Sequence, residues 1–170
     1  MAERQVQILI GSDSDASIMQ KAIEVLAELD VSCHMTVASA HRSPDRVRRL
    51  IDEAPTHGVK VFIVGAGAAA HLAGVVAAHS TLPVIGVPID SSPLKGWDAL
   101  LATVQMPPGV PVATVSVGKA GAVNAAVLAA QILALSDDRI AATLRAYKVK
   151  LAEKVEVAAS KVEGVGSNSQ

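Results

Sequence analysis

A nearly unbroken run of apolar, mostly β-branched residues at 59–64 limits the fold of this chain more than any other feature. A strand with one wet face would alternate with polar residues, whereas an unbroken run is typical of a central parallel strand covered on both faces. Four further runs, at 5–10, 32–37, 82–88 and 112–117, have strand character, and residues with helical spacing separate them. The sequence therefore predicts a parallel sheet with helices on both faces.

The predicted helices complete a three-layer αβα sandwich of the α/β class. Helical patterns cover residues 18–29, 44–54, about 70–80, 97–104, a stretch that begins between 118 and 121 and ends at 135, and a charged C-terminal helix at 137–161. We expect a flavodoxin-like five-stranded sheet with strand order 2-1-3-4-5. One domain is predicted over residues 1–163, with a frayed tail at 164–170.

Composition fits such a domain and excludes several classes of protein. Of the 170 residues 51% are hydrophobic but only 2% aromatic, so the core must consist of Ala, Val, Ile and Leu. Because 15 basic and 16 acidic residues nearly cancel, we expect no affinity for nucleic acid or membrane surfaces. The longest apolar stretch, 120–135, is short for a bilayer span. The single Cys33 and the absence of a signal-peptide pattern predict a reducing, cytoplasmic location.

The strongest chemical signal is the segment Ser39-Ala-His-Arg-Ser-Pro-Asp45. Ser43 suits a helix N-cap and Pro44 the first helical turn, so His41 and Arg42 fall on a strand-to-helix loop. Such loops line the ligand-binding edge of a parallel sheet. An imidazole beside a permanent cation indicates proton transfer next to an anionic substrate. The alternative is a surface histidine beside a solvated arginine.

The turn after the first strand, Gly11-Ser-Asp-Ser-Asp15, is a candidate nucleotide site. Free N–H groups and hydroxyls at a helix start can bind phosphate oxygens, which favours Ser12 and Ser14, whereas the carboxylate of Asp15 suits ribose hydroxyls. The alternative is plain helix capping. Neither the dinucleotide fingerprint nor the Walker phosphate loop is present at this turn, so NAD and ATP are not indicated.

The third candidate loop, residues 65–74, consists almost entirely of small residues around His71. Small residues allow a backbone or a flat ligand to approach closely, although tight helix packing is an equal alternative. His71 begins the next helix, where it suits a ligand contact, a cap or a subunit contact. Because strand one lies between strands two and three in the expected order, all three loops converge on one crevice.

The helix that ends at 135 also carries information on assembly. It is apolar almost all round, with only Asn124 and Gln131 as interruptions after Ala122. A helix of this kind is normally buried on several sides. We therefore expect a homo-oligomer, with the C-terminal helix packed against a neighbouring subunit.

Four motifs, in order, resemble those of the N5-carboxyaminoimidazole ribonucleotide mutase family, the catalytic-subunit type of phosphoribosylaminoimidazole carboxylase. They are Gly11-Ser-Asp-Ser-Asp15, Ser39-Ala-His-Arg42 with Pro44, Gly65-Ala-Gly with Ala69-Ala-His-Leu72, and Gln105-Met-Pro107 with Gly109-Val-Pro-Val112. The resemblance covers residues 5–135. Three positions depart from it, since Ala68 and Ala73 replace the usual Gly and Pro, and Ala16 stands where an aromatic is common.

The resemblance implies an isomerase of purine biosynthesis that moves a carboxylate from the exocyclic nitrogen of an imidazole ribonucleotide to ring carbon 4. It implies that His41 is catalytic and that the substrate-binding residues are Ser12, Asp15, Ser39, Arg42, Gly67, Ala68, His71 and Leu72. It further implies a homo-octamer without a metal, ATP, biotin or other cofactor, and transient contact with the synthetase that makes the labile substrate. Two alternatives are direct carboxylation of aminoimidazole ribonucleotide by carbon dioxide and a non-catalytic nucleotide-binding homologue.

Overall fold

Strands and helices alternate along the chain. The computed structural model describes residues 4–166, with the side chains of 164–166 excepted. The strands are β1 (Val6–Ile10), β2 (Cys33–Val37), β3 (Val61–Gly67), β4 (Val84–Ile89) and β5 (Ala113–Thr114). The helices are α1 (Ala16–Glu28), α2 (Pro44–Glu53), α3 (Leu72–His79), α4 (Trp97–Val104), α5 (Gly118–Leu133) and α6 (Asp138–Gly166).

The sheet has the order β2-β1-β3-β4-β5, and every neighbouring pair is parallel. In the register of β1, Val6 pairs with Cys33 on one side and with Val61 on the other. This is the predicted flavodoxin-like order, and it brings the carboxyl ends of β1, β2 and β3 side by side. The loops that follow these strands therefore share one edge of the sheet.

Alternate residues of each strand face two separate cores, which confirms the three-layer sandwich. On one face, Ile8 and Ile63 pack with α1 and α5. On the other, Leu9 and Phe62 pack with α2, α3 and α4. β3 and β4 are buried on both faces, as the unbroken run at 59–64 predicts.

Strands β3 and β5 depart most from the predicted bounds, whereas β1, β2 and β4 differ by only one or two residues at an end. β3 continues through Gly67, so the first residues of the predicted small-residue loop pair with β4 instead. β5 contains only Ala113 and Thr114, although a single ladder bond follows from Val115 N–H to the Gly86 carbonyl. Pro111, which has no backbone N–H for a ladder bond, lies just before this edge strand, and α5 begins soon after it at Gly118.

Helix α5 is covered largely by its own chain. α1 and the sheet pack against its alanine-rich face, and α6 packs on it through Ile140, Leu144 and Tyr147. An apolar surface almost all round the helix is therefore explained in part within one subunit. The homo-oligomer stays a prediction, and exposed apolar side chains on other helices support it.

The C-terminal helix is longer than predicted. α6 ends at Gly166 instead of residue 161, and residues 167–170 of the predicted tail lie outside the described residues. Over the part of the chain that the structure describes, no helix is both long enough and apolar enough to cross a membrane.

Candidate functional site

A cavity of about 310 Å³ opens at the carboxyl edge of the sheet, over the ends of the first four strands. Most of the residues singled out in the sequence line it, and His71 reaches it through a contact with His41. The predicted residues among the lining are Ser12, Asp15, Ser39, His41, Arg42, Gly67, Ala68 and Leu72. The three loops thus converge, as the strand order requires.

The polar side chains of the loop after β1 cap the turn that follows and also line the cavity. The Ser12 hydroxyl accepts a hydrogen bond from the Ser14 N–H at 3.4 Å, and the Asp15 carboxylate accepts one from the Ser12 N–H at 3.1 Å. These two bonds form a capping box on a short 3-10 turn ahead of α1. Capping is therefore real here, and it fixes the same side chains at the cavity wall.

Asp15 is the buried ionisable group of this loop, with 4% of its surface exposed. Desolvation by burial raises the pKa of its carboxyl above the ordinary value, and the nearby Asp13 adds to the effect. The Ser12 N–H and the Ser14 side chain oppose it by hydrogen bonding to the carboxylate. Burial has the largest influence, so the net effect is a raised pKa of the Asp15 carboxyl.

Arg42 joins the loops after β1 and β2. Its Nη2 donates to the Gly11 carbonyl at 3.3 Å, and its Nε and backbone N–H donate to the Ser39 hydroxyl at 3.4 and 3.2 Å. Among the described residues the guanidinium pairs with no carboxylate, so its charge is available to an anion in the cavity. Ser43 is the N-cap of α2, but its hydroxyl donates to the Ser39 carbonyl instead of capping the helix.

His41 and His71 form a direct contact between the loops after β2 and β3. The Nε2 of His41 lies 2.8 Å from the Nδ1 of His71, and the two rings are nearly perpendicular at 86°. One nitrogen must donate and the other accept, so the two tautomers depend on each other. Both side chains are exposed, and His41 lines the cavity. His71 thus orients the imidazole that the sequence singled out.

The small-residue loop owes its composition partly to packing. A Cβ on Gly65 would lie 2.8 Å from the Met19 sulfur, and a Cβ on Gly67 would overlap the Ser91 hydroxyl. Ala68 has a φ of +50°, a left-handed conformation that favours glycine. Leu72 is buried in the core below, so it supplies a wall of the cavity and no polar contact.

Ser91 is a lining residue that sequence analysis missed. It lies in the loop after β4, where no motif marked it. A usable signal was nevertheless present, because the expected order places β4 beside β3, and Asp90, Ser91 and Ser92 follow the end of that strand. Of these three residues, Ser91 faces the same crevice.

The acidic and sulfur-containing side chains do not gather into a metal site. Within residues 4–166, no group of three or more His, Cys, Asp or Glu side chains is placed to hold an ion. The chemistry available in the cavity is thus that of imidazoles, a guanidinium, hydroxyls and one buried carboxyl.

Comparison with known proteins gives a consistent result. The profile of the AIR carboxylase family matches residues 5–154. The N5-carboxyaminoimidazole ribonucleotide mutase of Bacillus subtilis is 55% identical over 139 residues, which cover 82% of this chain and 86% of that protein. The mutase of Haemophilus influenzae is 49% identical over 85% of this chain and 88% of its own. A crystal structure of Treponema denticola PurE, 29% identical, superimposes with a TM-score of 0.83 over 92% of this chain and 96% of that chain.

Proposed function

This chain belongs to the AIR carboxylase family, and we propose that it catalyses the mutase reaction for which its curated relatives are named. The enzyme is an isomerase of purine biosynthesis that converts N5-carboxyaminoimidazole ribonucleotide into 4-carboxy-5-aminoimidazole ribonucleotide. The single observation that carries the assignment to this cavity is the convergence of His41, Arg42 and the loop after β1 on one cavity wall. Each supplies a group that the reaction needs.

The nucleotide is held at the end of the cavity formed by the loops after β1 and β2. Arg42 and the hydroxyls of Ser12 and Ser14 bind the phosphate, because a guanidinium without a carboxylate partner matches a phosphate in charge and geometry. Asp15 accepts a hydrogen bond from a ribose hydroxyl. Ser39 holds the Arg42 side chain in place through its own hydroxyl.

His41 donates and accepts the protons of the reaction. When the carbon–nitrogen bond of the carbamate breaks, carbon dioxide leaves and the amine nitrogen gains a proton. When ring carbon 4 then attacks carbon dioxide, a carbon–carbon bond forms and that carbon loses its proton. One imidazole can give the first proton and accept the second, since it is both an acid and a base near neutral pH.

The surrounding loop confines the released carbon dioxide. Gly67, Ala68 and Ala69 form an apolar wall above Leu72, against which the freed molecule lies. His71 holds the His41 ring by the 2.8 Å contact. All bonds broken and formed lie within one substrate, so the proposed reaction is balanced without an oxidant or a nucleoside triphosphate.

Substitution of His41 tests the proposal. We expect His41→Asn to lower turnover by roughly 10²-fold or more, because a positioned acid–base group contributes at least that much. Binding of the product nucleotide, measured by calorimetry, is expected to persist. His79→Asn, which removes an exposed imidazole outside the cavity, is the matched control and retains activity. Normal turnover in His41→Asn would eliminate the proton transfer.

Arg42 is expected to act mainly in binding. Arg42→Ala removes a charged donor, so nucleotide affinity falls about 10- to 100-fold, the range for hydrogen bonds to charged groups. Affinity that stays unchanged would remove Arg42 from the phosphate site.

Direct carboxylation of aminoimidazole ribonucleotide by carbon dioxide is a second candidate, which the description of the family as AIR carboxylase favours. The two reactions differ in substrate. Purified enzyme given N5-carboxyaminoimidazole ribonucleotide should form product without added bicarbonate. Product formation only from aminoimidazole ribonucleotide and bicarbonate would instead establish the carboxylase.

The proposal includes a homo-octamer in the cytoplasm, with transient contact to the synthetase that supplies the substrate. Two exposed apolar surfaces support self-association. One consists of Leu94, Trp97, Leu101 and Val104, and the other of Leu151, Val155 and Val162, which share one face of α6 by their spacing. Apolar surfaces of this kind are typical of protein interfaces.

A further inference from the structure

Ser91 occupies a place in the cavity that the proposed chemistry has not yet used. It follows β4, and its hydroxyl oxygen lies where a Cβ on Gly67 would be. The hydroxyl therefore lies directly against the backbone at the end of β3. Glycine at position 67 is required by this contact, because any side chain there would displace the Ser91 hydroxyl.

The Ser91 hydroxyl is free to bind a ligand. Among the described residues it makes no hydrogen bond, whereas the adjacent Ser92 hydroxyl accepts one from the Leu94 N–H at 3.1 Å. A hydroxyl at a cavity wall without a protein partner binds solvent or a ligand. Ser91 is thus equipped for contact with a bound molecule.

Strand order determines which end of the nucleotide Ser91 meets. The loops after β1 and β2 carry Ser12 and Arg42, and β4 lies two strands away from β1. Strand spacing makes this distance about 10 Å. That length is comparable with the reach from the phosphate of a ribonucleotide to its base. The Arg42 guanidinium reaches the Gly11 carbonyl at the end of β1, so a nucleotide with its phosphate at Ser12 and this guanidinium spans the distance to Ser91.

The residues that follow β3 and β4 in this cavity are otherwise apolar, and the nearby His41 imidazole comes from the loop after β2. The end of β3, the loop after it and the loop after β4 contribute Ala66, Gly67, Ala68, Ala69 and Leu72 to the lining, together with Ser91. Ser91 is the polar side chain of this set. A negatively charged group at the base end of the ligand thus meets a single side-chain donor from these two loops.

We propose that Ser91 is a specificity-determining residue whose hydroxyl donates a hydrogen bond to the carboxylate on the imidazole ring. This inference rests on the proposed function, which supplies the identity of the nucleotide. It separates two ligands that differ only in that carboxylate, namely 4-carboxy-5-aminoimidazole ribonucleotide and aminoimidazole ribonucleotide. Ser91 selects the former.

Calorimetric titration of Ser91→Ala with both nucleotides tests the proposal. We expect the dissociation constant of the carboxylated nucleotide to rise about tenfold or more, as loss of a hydrogen bond to a charged group predicts. The dissociation constant of aminoimidazole ribonucleotide should stay nearly unchanged. Equal losses for both ligands, or no loss for either, would overturn the assignment.

Ser92→Ala is the matched control, because it alters the same loop without removing a hydroxyl from the cavity. It should keep the preference of the wild-type protein. A wild-type protein that binds neither nucleotide would instead refute the proposed function, so the two failures are distinguishable.

Gly67→Ala provides an independent variant. Its methyl group must push the Ser91 hydroxyl aside, so it should cause the same selective loss. In the double variant with Ser91→Ala no further selective loss is expected, since the hydroxyl is already gone. Additive losses would show that Gly67 acts on the ligand by another route and that the hydroxyl is not the shared cause.

Discussion

The buried position of Asp15 in the cavity wall lowers the stability of the folded protein when its carboxyl is ionised. Burial raises the pKa of its carboxyl above 3.8, so the folded protein holds this proton more tightly than the unfolded chain does. Between 3.8 and the raised value the folded state binds more protons, and the contribution of Asp15 to the free energy of unfolding therefore falls as the pH rises. At a pH above the raised pKa the carboxylate is ionised, and its destabilising contribution is complete.

We predict that Asp15→Asn raises the free energy of unfolding at neutral pH and lowers nucleotide affinity. The amide oxygen can still accept the Ser12 N–H, so the capping box persists without the buried charge. Urea unfolding at a series of pH values measures the difference between the two proteins. It should grow as the pH rises above 3.8, and a constant difference would contradict this assignment of the charge.

Single residues could be predicted where a motif or a strand end marked them. His41 and Arg42 could be assigned to a strand-to-helix loop because Ser43-Pro44 is typical of a helix start and follows a strand. Ser91 had no such mark and depended on the order of the sheet. The left-handed backbone of Ala68 could not be read from the sequence, since alanine normally avoids that conformation.

At the scale of one element, α5 shows how small residues determine packing. Ala129 is fully buried beside α1, whereas Ala120 on the same helix is exposed. We predict that Ala129→Leu lowers the free energy of unfolding by about 1–3 kcal/mol, the usual cost of overpacking a well-filled core. Ala120→Leu should change it by less than about 0.5 kcal/mol. Equal effects in chemical unfolding would show that the interface between α1 and α5 is loosely packed.

Element lengths were harder to predict than element types. Each strand and helix was expected, yet β3 gained residues from the small-residue loop and β5 shrank to two residues. Pairing with β4 extends β3, and the nearby start of α5 limits the length of β5. The first cause lies in a distant part of the chain, which local periodicity does not report. The same holds for α5, whose cover by α6 became visible only in the fold.

The whole molecule leaves apolar surface uncovered. Trp97 is 67% exposed and Leu101 is 51% exposed, and the two lie one turn apart on α4. We predict that Trp97→Glu combined with Leu101→Glu converts the assembly into smaller species in analytical ultracentrifugation, because a buried unpaired carboxylate is costly at an interface.

Gln20→Glu is the control for that variant, since it places the same carboxylate on an exposed polar position of α1 and should leave the assembly intact. A wild-type protein that sediments as a monomer would contradict the predicted assembly.

The order of the strands in the sheet was predictable because alternating strands and helices permit few right-handed arrangements. The uncovered α4 surface was not, since helical spacing alone does not show which face meets the sheet.

The contact between His41 and His71 makes each ring sensitive to the hydrogen bonding of the other. The His41 Nε2 and the His71 Nδ1 lie 2.8 Å apart and share one hydrogen, so a change of tautomer that moves this hydrogen on one ring alters the hydrogen bonding of the other. Nitrogen-15 resonances of His71 therefore provide a spectroscopic test of whether the His41 ring changes when a nucleotide binds.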